Sequence, residues 1–211
     1  MIRFYLKKRA KFLVKIILFY FVFSISGYSD NLNGLDKLVV LGSDNAKVKI
    51  KIFSSFTCPH CASFHLKILP QIKKAYIDDN KVQLIFVDFP LDAAALNASK
   101  LLHCVDKKNQ LNFMDAIYAK QSDWTNASDL DGINNNIKKI VKNMGITLDQ
   151  FDQCLINVDI EDKILNGRIE ASRKYSINST PTIIINEKKL KDSVNFKNIK
   201  KKNRRTYINE V

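Results

Sequence analysis

The chain has 211 residues, enough for one substantial domain or a small domain carrying an insertion, and its 46% hydrophobic content can bury a real core. The net charge of +13 lies at the two ends: residues 1–29 hold six basic and no acidic side chains, residues 188–211 nine against two, and residues 30–187 nineteen of each sign. A balanced body without an aromatic-interleaved basic motif excludes a nucleic-acid footprint. The basic tail reads as a solvated end, with contact to anionic lipid headgroups as the alternative.

At the N-terminus, Arg3, Lys7, Lys8, Arg9, Lys11 and Lys15 precede the apolar stretch Ile16 to Phe23. This is the pattern of a secretory signal over residues 1–29, with small residues offering cleavage after Ser26 or Ser29. An uncleaved membrane anchor is the alternative, although the stretch from Phe12 to Ile25 is interrupted by Lys15 and falls short of the roughly 20 residues of a bilayer span. Export implies an oxidising compartment, and the four cysteines are an even number.

Val48, Ile50 and Ile52 alternate with Lys49 and Lys51, which predicts a strand with one face buried. Directly behind it stands Cys58-Pro59-His60-Cys61. Two thiols two residues apart can close a disulfide within one helical turn, and Pro59 suits the first helical position, where its missing N–H costs nothing. Cys58 then becomes the N-cap, where unpaired N–H groups and the helix dipole favour thiolate, so it is expected to be an acidic, accessible and attacking sulfur. Cys61 falls on the apolar stripe Cys61, Phe64, Ile68, Ile72 and Tyr76, and is expected to be buried and to act second. His60 can add a hydrogen bond or positive charge. The alternatives are an inert core pair, or half of a zinc site completed by His60 or His65, for which no second ligand pair stands elsewhere.

Val82 to Val87 predicts a strand covered on both faces, and Pro90 ends the pattern. Residues 92–174 carry helix signals only: Ala93 to Val105, a stripe from Leu111 to Tyr118, another from Leu130 to Met144 closed by Gly145, a Thr147–Gln150 capping box, and a last stripe from Ile160 to Tyr175 with Asp159 as N-cap and Gly167 allowing close packing. Trp124 reads as a core anchor. Cys104 and Cys154 each fall in a predicted helix. A structural disulfide between them is expected, with two reduced cysteines on packed helix faces as the alternative. Strand character returns at Thr182 to Ile185, then a turn at Asn186-Glu187, Lys188 to Leu190, and a helix from Phe196 to Lys201. The element order is α/β: a thioredoxin fold built from residues 37–91 and 175–211, interrupted by an all-helical insertion at 92–174.

The run Phe53 to Cys61, the helical insertion, and Ser179-Thr180-Pro181-Thr182 before an apolar strand resemble the DsbA-like protein-disulfide oxidoreductases of the bacterial periplasm. The resemblance implies that Cys58 attacks, Cys61 resolves, and Pro59 and His60 tune the Cys58–Cys61 couple. It further implies that Pro181 is a cis-proline beside the disulfide, with Thr180 and Pro181 binding an extended substrate segment. The implied function is oxidation of cysteine pairs in exported proteins through a mixed disulfide at Cys58. The resemblance implies no metal or cofactor, and reoxidation of the site by a quinone-linked membrane oxidase. The implied location is the periplasm, free or anchored facing it. With only a dozen or so residues between signal and fold there is no dimerisation domain, so a monomer is expected. The alternatives are a reductase or isomerase for thiol or cytochrome maturation, and a non-enzymatic module binding copper or zinc through its cysteines. One departure is Asn186-Glu187, where the family tends to have Asn-Gly.

Overall fold

The computed structural model describes residues 39–142 and 144–209, with side chains to residue 203. The predicted signal at 1–29 and its cleavage sites lie outside the described residues. The short strand β1 (Val40–Leu41) is followed by β2 (Val48–Ser54), a helical run α1 over residues 59–77, and β3 (Val82–Asp88). Helices then follow without a strand: α2 (Ala93–Cys104), α3 (Gln110–Ala119), α4 (Gln121–Trp124), α5 (Leu130–Val141), α6 (Leu148–Leu155) and α7 (Val158–Tyr175). The chain closes with β4 (Thr182–Ile185), β5 (Lys188–Lys189) and α8 (Phe196–Asn209). The sheet order is β1-β3-β2-β4-β5, with β2 and β3 parallel and the other pairs antiparallel. This is a thioredoxin fold with an inserted helical domain. Among the described residues no helix is long and apolar enough to cross a membrane.

Strand β2 lies at the centre, with Val48, Ile50 and Ile52 fully buried on one face. Its other face is covered as well, contrary to the one-sided burial predicted from the lysines. Phe53 packs there with Phe89, Ala171, Ile177 and Ile184, and Lys51 keeps only 9% of its surface. A buried ammonium is costly unless paired. Lys51 Nζ donates to Glu187 Oε1 at 2.6 Å and to Tyr175 Oη at 3.2 Å.

Helix α1 is not a uniform α-helix. Its α turns Pro59–Ser63 and Leu69–Ile72 are each followed by a wider π turn, Phe64–Ile68 and Lys73–Ile77. Pro70 has no N–H to give the preceding turn, and the helix widens there, the Leu69 N–H reaching back to the Phe64 carbonyl. The extra residue shifts the phase of the helix. His65, Leu69 and Ile77 are buried, while Ile68 and Tyr76, predicted on the inner stripe, are only half-buried.

In the helical segment the Thr147–Gln150 capping box is formed and Trp124 is fully buried, its Nε1 donating to the Ile117 carbonyl. Two expectations fail. The N-cap of α7 is Asn157 rather than Asp159, since its side chain accepts from the Ile160 N–H. Gly167 makes no close approach, because a Cβ there would meet open space. The last helix also runs to Asn209 rather than ending near Lys201. A disulfide joins Cys104 at the end of α2 to Cys154 in α6, with Cα atoms 6.3 Å apart across 50 residues of sequence.

Both Asn186 and Glu187 take positive φ, 40° and 62°, the left-handed turn that glycine adopts at least cost. Side chains offset the strain: Asn186 accepts from the Lys49 N–H at 2.7 Å, and Glu187 receives Lys51, the Tyr175 hydroxyl at 2.5 Å and Lys174 at 3.2 Å. Burial alone would raise the Glu187 pKa, but these partners together lower it to about 2.

Replacing Cys104 and Cys154 by alanine together is expected to lower the unfolding free energy by about 4 kcal/mol at most, from the loop-closure entropy, as read by urea denaturation of the non-reduced proteins. Glu187→Ala leaves Lys51 buried with a weaker partner and should cost about 1–3 kcal/mol by the same assay. Since the folded pKa of Glu187 is depressed, its contribution is complete above the ordinary carboxylate range and is lost as pH falls through about 2; the cost of Glu187→Ala should shrink accordingly on acidification.

Candidate active site

Strand β2 runs into the loop 55–57, and Cys58 follows as the N-cap of α1 with extended backbone (φ −78°, ψ 119°) and Pro59 in the first helical turn. The Cys58 carbonyl accepts from the N–H groups of Cys61 and Ala62 at 3.0 and 3.1 Å, so the helix starts at this residue. The antiparallel pairing of β2 with β4 places Phe53 opposite Thr182, so the end of β2 lies beside the start of β4. Hence the cis Thr180–Pro181 bond stands next to the cysteine pair, and the Cys58 sulfur lies 3.3 Å from the Thr180 carbonyl, to which it donates when protonated.

Both cysteines are free. Cys61 is 1% exposed, as its place on the inner face required. Cys58 is more covered than expected of an accessible thiol, with 7% exposure, because the Thr180 loop closes over it. Their acidities diverge. The Cys58 pKa is lowered to about 5, chiefly by a hydrogen bond from the Cys61 thiol, against the opposing effect of burial; the Thr180 side chain and the backbone N–H groups of Cys61 and His60 add to the lowering. The Cys61 pKa is raised by its hydrogen bond to Cys58 and by burial. The arrangement therefore holds a thiolate at Cys58 and a thiol at Cys61. Pro59 and His60 are exposed, Thr180 is buried and Pro181 half-buried.

The helical segment contributes residues that no local motif signalled. Gln121 Nε2 donates to the carbonyls of Phe56 at 2.6 Å and Cys58 at 3.1 Å, fixing the loop from α4. Thr57 donates to Asp92 Oδ2 at 2.7 Å, while Asp92 Oδ1 caps α2 through the Ala95 N–H. Tyr118 packs on Phe56 and on His65, with ring centroids 5.0 and 4.8 Å apart. Burial, then the nearby Cys61, raises its pKa. His65 pairs through Nε2 with Asp115 Oδ1 at 2.6 Å, and burial lowers its pKa. Only Tyr118 lay on a stripe the sequence could reveal; Gln121 and Asp92 act across 63 and 35 residues. Among the described residues no three His, Cys, Asp or Glu side chains converge as a metal site would require.

Over residues 35–202 the chain matches the family described as Thioredoxin. It is 31% identical over 151 residues to the probable disulfide bond formation protein D of Bacillus cereus, covering 69% of this chain and 68% of that one. A putative protein-disulfide oxidoreductase of Rickettsia bellii is 27% identical over 153 residues; the match covers 70% of this chain but 56% of that longer protein. Among solved structures, alpha-DsbA1 of Wolbachia pipientis superposes with a TM-score of 0.73 at 30% identity, over 83% of this chain and 93% of that one. Oxidised BdbD of Bacillus subtilis superposes with a TM-score of 0.69 over 82% and 94%, at 24% identity, a likeness of fold. The chain belongs to the thioredoxin family, as one of its DsbA-like protein-disulfide oxidoreductases.

Thiolate absorbance of the reduced protein should rise in one transition near pH 5 that Cys58→Ser removes, with no second cysteine titrating below the range of a free thiol, about 8.5. Because the folded pKa of Cys58 is depressed, the stability it lends the reduced protein is fully present above the unfolded pKa and is lost as pH falls through about 5. A reduced-minus-oxidised stability difference that does not grow over that window would contradict the geometry.

Proposed function

We propose that the protein oxidises cysteine pairs in exported proteins, with Cys58 as the attacked and attacking sulfur and Cys61 as its partner. The observation that carries this reading is the divergence of the two thiols. Whatever stabilises the Cys58 thiolate stabilises the reduced protein, and so makes the disulfide a stronger oxidant. A substrate thiolate attacks Cys58 of the disulfide, the Cys58–Cys61 bond breaks, and Cys61 departs and takes up a proton, consistent with its raised pKa. The second substrate thiolate then attacks the substrate sulfur of the mixed disulfide and expels Cys58. Both electrons end on the protein, and a thiolate of low pKa leaves readily. Pro59 and the N–H of His60 shape the helix start that holds this thiolate, and the Thr180–Pro181 loop faces the incoming chain.

The basic and apolar pattern of residues 1–29 supports export to the periplasm, where disulfides persist. Net oxidation requires that the dithiol be reoxidised, a role suited to a quinone-linked membrane oxidase.

Two measurements test the reading. Cys61→Ser should accumulate mixed disulfides with reduced client proteins on non-reducing gels, and Cys58→Ser should accumulate few; equal trapping by both would reverse or abolish the assigned roles. At equilibrium with glutathione the couple should lie well above thioredoxin, about −270 mV. A value at or below that would make the protein a reductase.

A further inference from the structure

An open groove of about 810 Å³ begins at the active-site rim and runs across the helical segment. Thr57 and Pro59, the residues on either side of Cys58, form its near end; Leu130 and Ile133 of α5 form its far wall. Its volume falls in the range of about 300–1,000 Å³ typical of ligand sites, suited to a chain segment rather than a folded domain. The lining is mostly apolar or small, and its charged groups are Asp92 and Asp129, with no lysine or arginine. The two carboxylates differ. Asp92 is occupied at both oxygens, by the Ala95 N–H and the Thr57 hydroxyl. Asp129 is exposed and caps α5 through Oδ1 alone, accepting from the Gly132 N–H.

We propose that this groove binds the segment of a client protein flanking its reactive cysteine, in extended form, taking an apolar side chain against Leu130 and Ile133 and a basic one toward Asp129. The inference deepens the proposed function and rests on Cys58 being the sulfur that clients engage. Cys58 is 7% exposed, so a client cysteine bonded to it is held at the rim. On one side its chain meets the Thr180–Pro181 loop, and on the other it passes over Pro59 into the groove. Because Pro59 and α5 line the same groove, side chains a few positions from the cysteine, at about 3.3 Å per residue, are the ones assigned to α5. Gln121, which lines the groove and holds the carbonyls of Phe56 and Cys58, makes groove and sulfur one rigid surface.

The test uses the oxidised full chain and two synthetic dithiol peptides, one with leucine and lysine within four residues of its first cysteine, the other with serine at both places. Dithiothreitol is a third reductant, with no flanking side chains to seat in the groove. The leucine–lysine peptide should reduce the protein about tenfold faster than the serine peptide, a difference corresponding to burial of one aliphatic side chain. Leu130→Glu should bring the ratio of the two rates close to one. Asp129→Asn retains a capping side chain and should remove the salt-sensitive part of the preference. Leu148→Glu, at an exposed leucine outside the groove, should leave the ratio as it was. An equal rate for the two peptides, or a preference untouched by Leu130→Glu, overturns the groove as a client site while leaving the Cys58 chemistry standing. Failure of the oxidised protein to react with dithiothreitol overturns the redox reading and the groove with it.

Discussion

The start of a helix and the start of a strand meet at one sulfur atom, and the proposed chemistry depends on that meeting. Cys58 caps α1, and its thiol reaches Thr180 across 122 residues of sequence. The register of the sheet enforces this proximity: with Phe53 paired to Thr182 in antiparallel fashion, the chain leaving β2 and the chain entering β4 must lie at the same end of the sheet. A displacement of that register by one residue would turn every side chain of β4 to the opposite face. The Asn186 side chain, which accepts from the Lys49 N–H and donates to the Lys47 carbonyl, opposes such a slip.

Acidity follows from the same placement. A sulfur at a helix N-terminus is surrounded by N–H groups that have no partner within the helix, and these favour negative charge. The Cys61 thiol, one turn on and buried, hydrogen-bonds the Cys58 sulfur and is itself kept protonated by doing so. One thiol becomes a better leaving group while the other is held back. The inserted helices keep the loop in place through Gln121, Asp92 and Tyr118, so the insertion is part of the scaffold of the proposed site and also forms the wall of the groove beside it.

The far end of β2 shows how a departure from the family pattern is absorbed. Glu187 occupies a left-handed position usually given to glycine, yet its carboxylate is the partner that a nearly buried Lys51 requires. Backbone strain at the turn is thus linked to a charge inside the sheet. The ion pair involves a lysine read from its spacing as solvent-facing, and it becomes intelligible only once α7 is seen to cover that face.

By itself the sequence determined what local chemistry can encode: the strand at Val48, the N-cap and proline that open the active helix, the Thr147–Gln150 capping box, the succession of helices between β3 and β4, and the short strand after Pro181. Each depends on side-chain periodicity or on backbone groups within a few residues. Tertiary structure decided the rest. It slipped the phase of α1 before Pro70 and brought Leu69 inward, moved the cap of α7 to Asn157, buried Lys51, covered most of Cys58, and delivered Gln121 and Asp92 to the loop 55–57 and Cys58. These outcomes turn on which elements pack together, and a hydrogen bond spanning 63 residues leaves no periodic trace in the sequence that makes it.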